Sequence, residues 1–256
     1  MNVLFTVCGR AGSKGAKGKN MRNFCGVPLV WYTLAAFALY RERYQEDRLK
    51  VVLNTDSEEL ARLCAETPVS PLFLRRGPEL AGDLAPKISV IRDCLIRAEK
   101  HWDTAFDLVI DLDITSPLRT VADIRAAVEK KTARSETDVV YSVVPSRRNP
   151  YFNMVREENG FFVKAIPSSY TARQQAPVFY DMNASIYAHS PKALLEKEAC
   201  TYFNDRTDVI VMQDTGILDI DSDGDYELMQ VIAEYLYTHQ NAFQEIREKA
   251  VSWLQE

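Results

Sequence analysis

Val3-Leu-Phe-Thr-Val-Cys8 runs straight into Gly9-Arg-Ala-Gly-Ser-Lys-Gly-Ala-Lys-Gly-Lys-Asn20, and a helical pattern restarts after Pro28. The first piece is a mostly apolar run of strand length. Glycines then break it, and proline suits the first turn of a helix. Strand, loop and helix in that order open an α/β fold, and the alternation recurs. Strands are predicted at Lys50 to Asn54, Leu72 to Leu74, Leu108 to Leu112 and Val139 to Val144, with helices from Ser57, over Lys87 to Glu99 and over Val121 to Lys131. Largely apolar strands separated by helices imply a mostly parallel sheet covered by helices on both faces.

From about residue 145 to 183 this rhythm is lost. Short β-like pieces, Tyr151 to Val155 and Phe161 to Val163, sit among turn residues. The reading is a small, protruding, β-rich insertion in a single domain spanning residues 1–256. Regular structure resumes with Ala184 to Ala188, a helix after Pro191, a strand at Val209 to Met212, and helices over Tyr226 to Thr238 and onward to Trp253. No internal repeat, low-complexity tract or linker interrupts it.

With 256 residues, 46% of them hydrophobic, the chain can bury a full core, which argues against disorder. The five cysteines (Cys8, Cys25, Cys64, Cys94, Cys200) have no C-x-x-C spacing, so a reducing compartment suits them better than a disulfide framework or a zinc site. The longest apolar run, Leu29 to Tyr40, falls short of the roughly 20 residues that span a bilayer, and no secretory signal opens the chain. A cytoplasmic protein is expected. The net charge of −5 argues against general nucleic-acid binding, yet its distribution is uneven. No acidic residue precedes Glu42, and Arg10, Lys14, Lys17, Lys19, Arg22 and Arg41 give that stretch +6, leaving −11 for the remainder. A cationic entrance on an acidic protein points to a small anionic ligand.

The glycine-rich stretch supplies the chemistry for that ligand. Glycines let backbone N–H groups approach phosphate oxygens, and Arg10, Ser13, Lys14, Lys17 and Lys19 fall between or beside them. The spacing matches neither the Walker A pattern nor G-x-G-x-x-G. The competing reading is a solvated Gly/Lys loop, which position after the first strand disfavours, since ligands of open α/β sheets sit beyond the carboxyl ends of strands. Asp219-Ile-Asp221 alternates as a strand end does and sets two carboxylates on one side, the usual arrangement for holding Mg²⁺ beside a triphosphate. Asp223 and Asp225 follow closely, and an acidic first turn of a helix is the competing reading. Ile110-Asp-Leu-Asp-Ile-Thr-Ser-Pro-Leu-Arg119 places Asp113, Thr115, Ser116 and Arg119 at the same sheet edge, with Thr115 or Ser116 read as a cap for a helix after Pro117. Arg173 to Asn183, with Tyr187, supplies a guanidinium, amides and a phenol suited to a carboxylate and sugar hydroxyls. His101, His189 and His239 have no helpful neighbours, and no nucleophilic triad follows from the residue order.

Taken together, Arg10-Ala-Gly-Ser-Lys-Gly with Lys19-Asn20, Gly26-Val-Pro-Leu, Asn54-Thr-Asp, Arg75-Arg-Gly-Pro-Glu-Leu-Ala, Thr115-Ser-Pro-Leu-Arg119, Asn183 to Tyr187 and Asp219-Ile-Asp221 resemble the cytidylyltransferases that activate sialic acid and related nonulosonic acids. The likeness covers nearly the whole chain. It implies a Rossmann-like nucleotidyltransferase fold, a homodimer whose insertions embrace the partner, and Mg²⁺ as cofactor. It also implies that Arg10, Gly12, Ser13, Lys19, Asn20 and Arg76 bind CTP, and that Asp219 and Asp221 bind the metal. Asp113, Arg119, Arg173, Asn183 and Tyr187 then face the sugar acid, Arg173 reaching across a dimer, and Arg10, Lys19, Asp221 and Arg173 form the catalytic set.

One departure bears on the substrate. Many sialic acid enzymes have Gln-Pro or Gln-Ala before Thr-Ser-Pro, the Gln touching the sugar, where this chain has Asp113-Ile114. A carboxylate accepts hydrogen bonds only and repels another carboxylate unless a donor intervenes. The Asp-Leu-Asp-x-Thr-Ser-Pro wording resembles the legionaminic acid branch, whose diamino sugar offers an extra N–H to Asp113. The resemblance implies attack of the sugar's anomeric hydroxyl on the α-phosphorus of CTP, with pyrophosphate leaving. Three rivals remain: a nucleotide-sugar glycosyltransferase, an enzyme for the eight-carbon acid Kdo, and a silent nucleotide sensor. The triphosphate-suited loop, the Thr-Ser-Pro wording and the intact charged motifs, respectively, weigh against them.

Overall fold

Side-chain alternation along the first strand splits the core in two. In β1 (Asn2–Cys8), Val3, Phe5 and Val7 enter one cluster of buried residues and Leu4 enters another. That period of two is what a strand covered on both faces requires. The computed structural model describes residues 1–12, 16, 18–82, 85–196 and 206–255.

After β1 come a 3-10 turn (Lys19–Met21), a minimal hairpin of β2 (Asn23–Phe24) and β3 (Val27–Pro28), and helix α1 (Leu29–Arg43). There follow β4 (Arg48–Thr55), α2 (Glu58–Ala65), β5 (Leu72–Arg75), the short α3 (Pro78–Ala81), α4 (Lys87–Trp102), β6 (Leu108–Leu112), α5 (Val121–Ala133) and β7 (Val139–Pro145). The hairpin strands β8 (Val155–Glu158) and β9 (Phe161–Lys164) precede β10 (Tyr180–His189), α6 (Pro191–Glu196), β11 (Thr207–Val211), α7 (Asp223–His239) and α8 (Asn241–Ser252).

Seven strands form one sheet in the order β11-β7-β10-β6-β1-β4-β5. Every pairing is parallel except those of β10, which runs antiparallel between β6 and β7. The mostly parallel sheet with helices on both faces is therefore present, with one reversed strand inside it. Helices α1, α2, α5, α7 and α8 supply the larger cluster; α4 and α6 supply the smaller one on the opposite face. Helix α1 is apolar all round because other elements enclose it: Phe37 meets Phe5 edge-on at 5.0 Å, Tyr32 stacks on Tyr237 at 5.7 Å, and Trp31 meets Trp253. Among the described residues no helix is long and apolar enough to cross a membrane.

Several local expectations shift. The strand expected at Ala184 to Ala188 is ten residues long, and its register slips between Met182 and Tyr187 around Ala184, whose φ of 55° is left-handed. Such a bulge re-aims side chains. The β-like piece expected at Tyr151 to Val155 lies further on, because Asn149 gathers residues 151–154 into turns: its side-chain oxygen accepts from the Tyr151 amide and its carbonyl from those of Phe152, Asn153 and Met154. Neither Thr115 nor Ser116 caps a helix. Thr120 does so for α5, in a reciprocal box with Asp123. The chain at Asp219-Ile-Asp221 is not a strand end; it is irregular backbone pinned by the fully buried Ile220, whose N–H donates to the Thr115 carbonyl at 2.9 Å.

Candidate active site

Parallel pairing brings the carboxyl ends of β1, β4 and β6 to one edge, where such sheets place their ligands. A cleft of about 410 Å³ opens there. Arg10, Lys19, Asn20 and Arg76 line it on the side of the glycine-rich loop, and Lys87, Asp113 and Thr115 line it on the side of β6, with Asp221 also on its wall.

The loop leaves β1 through Gly9, whose N–H donates to the Asn54 carbonyl at 3.1 Å. A Cβ at Gly9 would stand 2.7 Å from Leu60 and 2.9 Å from Ile114, so close approach fixes glycine there. Asp56 accepts the Ala11 N–H at 2.7 Å and steadies the next turn. Gly12 is exposed and open around its α-carbon, and Ser13, like Lys14, Lys17 and Cys200, lies outside the described residues. Asn20 is nearly buried and its amide reaches the Arg10 carbonyl at 3.4 Å. Arg76 is buried too, its guanidinium set against the Asn54 side chain at 2.7 Å and the Asn54 carbonyl at 3.1 Å.

Lys19 joins the two ends of the chain. Its ammonium donates to the Ile220 carbonyl and lies 3.4 Å from the Asp221 carboxylate. Asp221 is otherwise exposed, whereas Asp219 is half-buried. Burial, then the charges of Asp221 and Asp113, push the Asp219 carboxyl up to about 6. Asp225 serves α7: it accepts from Ser222, which caps the helix in return. Asp223 pairs with Arg22, and that guanidinium lies 3.8 Å over the Tyr226 ring. The acidic stretch thus divides into a helix-start pair and an Asp219–Asp221 pair, of which Asp221 lines the cleft. Among the described residues no group of three or more His, Cys, Asp or Glu could hold a metal. Two carboxylates fit an ion that completes its shell with phosphate and water, which is the habit of Mg²⁺.

At the β6 end, Asp113 is bound up by the protein. Its Oδ1 accepts from the Thr115 N–H and hydroxyl, both at 2.8 Å, and its Oδ2 meets the Lys87 ammonium. Burial pushes this carboxyl up, but Lys87 and Thr115 outweigh it and hold it at about 2. Its oxygens already accept from Lys87 and Thr115, so a substrate N–H would share Asp113 with them.

Arg119 does not line the cleft. Only 1% exposed, it donates to Ser185 Oγ at 3.0 Å, to the Ser116 carbonyl at 2.5 Å and to the Asp113 carbonyl, with Thr33 at 3.4 Å. Its guanidinium holds the 113–116 turn. Asn183 is also turned inward, accepting from Ser142 at 2.5 Å, because the bulge beside it aims it at β7. Tyr187 is buried beneath Lys87, whose ammonium stands 5.3 Å from its ring centroid, and burial raises its phenol to about 12. Arg173 lies in the 146–179 excursion, exposed, donating to the Arg147 carbonyl at 3.1 Å.

Lys87 is the cleft residue that sequence reading passed over. It is the first residue of α4, where the helix dipole disfavours a cation, and that broken local rule is the signal that marks it.

Comparison with known proteins bears on the family and the fold. The family model described as Cytidylyltransferase matches residues 5–251. The chain is 37% identical over 232 residues to the CMP-N,N'-diacetyllegionaminic acid synthase of Campylobacter jejuni, covering 90% of this chain and 94% of that protein. It is 36% identical over 230 residues to the post-translational flagellin modification protein B of Campylobacter coli, with the same coverage. Among solved structures, the CTP complex of CMP:2-keto-3-deoxy-manno-octonic acid synthetase shares the fold, with a TM-score of 0.61, 14% identity, and 92% and 99% of the two chains covered. With that family model matched over nearly its whole length, the chain belongs to the cytidylyltransferase family.

Proposed function

We propose that this cytidylyltransferase transfers CMP from CTP to a nine-carbon acidic sugar of the legionaminic acid type, releasing pyrophosphate. One observation carries the reading: Arg10 and Lys19 share a single cleft with Asp221, while Lys87 and Asp113 form a separate polar floor beside them. Such a cleft has one end suited to a triphosphate and another suited to the hydroxyl and amide groups of a sugar acid. The relative from Campylobacter jejuni, named for N,N'-diacetyllegionaminic acid, supports that choice of sugar.

In this reading Arg10, Lys19 and Asn20 bind the phosphates of CTP, with Gly12 and Ser13 lending backbone and hydroxyl donors, and Arg76 steadies the nucleotide side through Asn54. Charge builds on the α-phosphoryl oxygens and on departing pyrophosphate as the anomeric hydroxyl attacks. Arg10 and Lys19 donate hydrogen bonds to that charge from fixed positions, and fixed donors cost little reorganisation. Asp219 and Asp221 are the residues to hold Mg²⁺. When bound, the ion supplies charge neutralisation at the phosphates. Tyr187 supports the sugar end from below. Arg119 and Asn183 act one step back, Arg119 by fixing the Asp113 turn.

The proposal includes a homodimer in the cytoplasm, where CTP is made. The β8–β9 hairpin exposes Phe161 (75%) and Phe162 (73%), surface that a second copy would cover. Arg173, which belongs to the same excursion, would then reach the cleft of the second copy.

The test is pyrophosphate release with CTP and Mg²⁺, using N,N'-diacetyllegionaminic, N-acetylneuraminic, pseudaminic and Kdo acids separately. Release with the legionaminic acid in preference to the others is expected. Equal efficiency with N-acetylneuraminic acid would overturn the choice of sugar, and silence with all four, despite CTP binding, would overturn the reaction.

A further inference from the structure

Lys87 sits in a frame unlike that of the other cations of the cleft. Its ammonium lies 2.7 Å from Asp111 Oδ2 and in contact with Asp113 Oδ2. Both carboxylates are fixed. Asp111 is fully buried, and its other oxygen accepts from Thr6 at 2.7 Å; Asp113 is fastened by Thr115. The Tyr187 ring packs against the same ammonium. Held on these sides, the Lys87 side chain keeps 29% of its surface exposed and lines the cleft.

The charges around it settle what it can recognise. Arg119 donates to the Asp113 carbonyl and Asp219 acts on the Asp113 carboxyl, so two cations, Lys87 and Arg119, stand among three anions, Asp111, Asp113 and Asp219. Such a set has no cationic excess and exerts little net pull on a phosphate or a carboxylate. It offers instead a rigid N–H donor to a neutral acceptor, and an amide carbonyl is the strongest such acceptor on an acylamino sugar. Arg10 and Lys19 come from the stretch that carries no acidic residue before Glu42, and the carboxylate that Lys19 meets, Asp221 at 3.4 Å, is exposed. Placing a cation at the first turn of α4 runs against the helix dipole, a local cost that function at the cleft accounts for.

We infer that Lys87 is a specificity-determining residue that donates to an acylamino carbonyl of the acceptor sugar, with Asp111 and Asp113 as the positioning residues that aim it. This rests on the transfer of CMP to a nonulosonic acid proposed above. It deepens that reading by explaining why Asp stands at 113: it serves the sugar through Lys87.

The experiment compares the full-length protein with Lys87→Met, Lys87→Arg and Asp113→Asn, and with the Lys87→Met/Asp113→Asn pair. Each is assayed by pyrophosphate release with N,N'-diacetyllegionaminic acid and with N-acetylneuraminic acid, and CTP binding is measured by calorimetry. Lys87→Met is expected to raise the KM for the diacetylated acid about tenfold while CTP affinity moves by less than about twofold, as loss of one charged donor predicts. The preference for the diacetylated over the monoacetylated acid should fall with it, which a merely structural role would not produce. The pair should cost little more than either single change, since the two residues act as a unit. Lys87→Arg keeps the charge between the two aspartates, so the fold holds, and should raise the same KM through its changed shape. A rise in the CTP dissociation constant equal to the rise in sugar KM would overturn the inference by assigning Lys87 to the phosphates. Unchanged preference in a folded Lys87→Arg protein would overturn it as well. Absence of turnover by the unaltered protein with either acid would overturn the proposed reaction and this inference together, whereas normal turnover with unaltered variants would overturn the inference alone.

Discussion

The two ends of the cleft are built by opposite means. At the loop end, Gly9, Arg10, Lys19 and Asn20 come from one stretch of twelve residues, and their backbone groups are tied to neighbours such as Asn54 and Asp56. At the floor, Lys87, Asp111, Asp113 and Tyr187 come from α4, β6 and the loop after it, and β10, and meet only because the sheet brings them together. The loop end gathers positive charge, and the carboxylate that Lys19 meets, Asp221, is exposed. The floor sets Lys87 between two carboxylates fixed by the fold. A site that takes a triphosphate whatever the acceptor is can be encoded locally, while a site that must discriminate one polar sugar from another needs partners fixed from several directions.

The comparison breaks most sharply at Asp221. Its carboxylate is 77% exposed, so Asp221→Ala should fold normally, yet kcat should fall about 10³-fold or more if it holds the ion that neutralises the phosphates. Melting temperature and kcat, measured side by side at saturating Mg²⁺, check this. Appreciable residual activity would remove Asp221 from the reacting end.

Arg119→Met tests the floor by the opposite signature. Removing a guanidinium that is 1% exposed strips the Ser116 and Asp113 carbonyls of their donor and should cost about 3 kcal/mol, lowering the melting temperature by roughly 6–12 °C. A tenfold rise in sugar KM without loss of melting temperature would instead show direct contact with the sugar. Arg10→Met should be smaller and purely kinetic, raising the KM for CTP about 30-fold while leaving that for the sugar acid in place. Parallel rises in both would erase the division between loop end and floor.

How much of this was legible in the sequence follows the same division. The strands could be read because their apolar runs had strand length and were bounded by glycine, proline and polar turns, and the loop could be read because its glycines and cations are contiguous. Direction was invisible: nothing in the residues of β10 says that it runs antiparallel, since a period of two has no sense of polarity. Arg119 was placed toward the sugar by its position at the sheet edge; its carbonyl acceptors come from the turn it follows, and Ser185 lies 66 positions away. Lys87 was missed for a related reason. Its contact with Asp113 spans 26 positions, and only the sheet makes them neighbours.

The smallest expected effect probes the far side of the floor, where His189 stacks on Tyr187. His189 is fully buried, and burial, then the charges of Lys87 and Lys131, hold its imidazole down at about 3, so it is neutral in the folded protein. In the unfolded chain it titrates near 6.5. Between those values the unfolded state binds the proton and the folded state does not, so stability falls as pH drops below about 6.5, by about 1.4 kcal/mol per unit from this group. Asp219, raised to about 6, opposes that trend in the upper part of the window but is common to both proteins compared. Denaturant unfolding of the wild type and of His189→Gln at pH 6.5 and 5.5 isolates the histidine: the wild type should lose about 1 kcal/mol more than the variant. Equal losses would mean that the folded protein already accepts the proton at His189, which would put a third cation beside Lys87 and Arg119 under the floor.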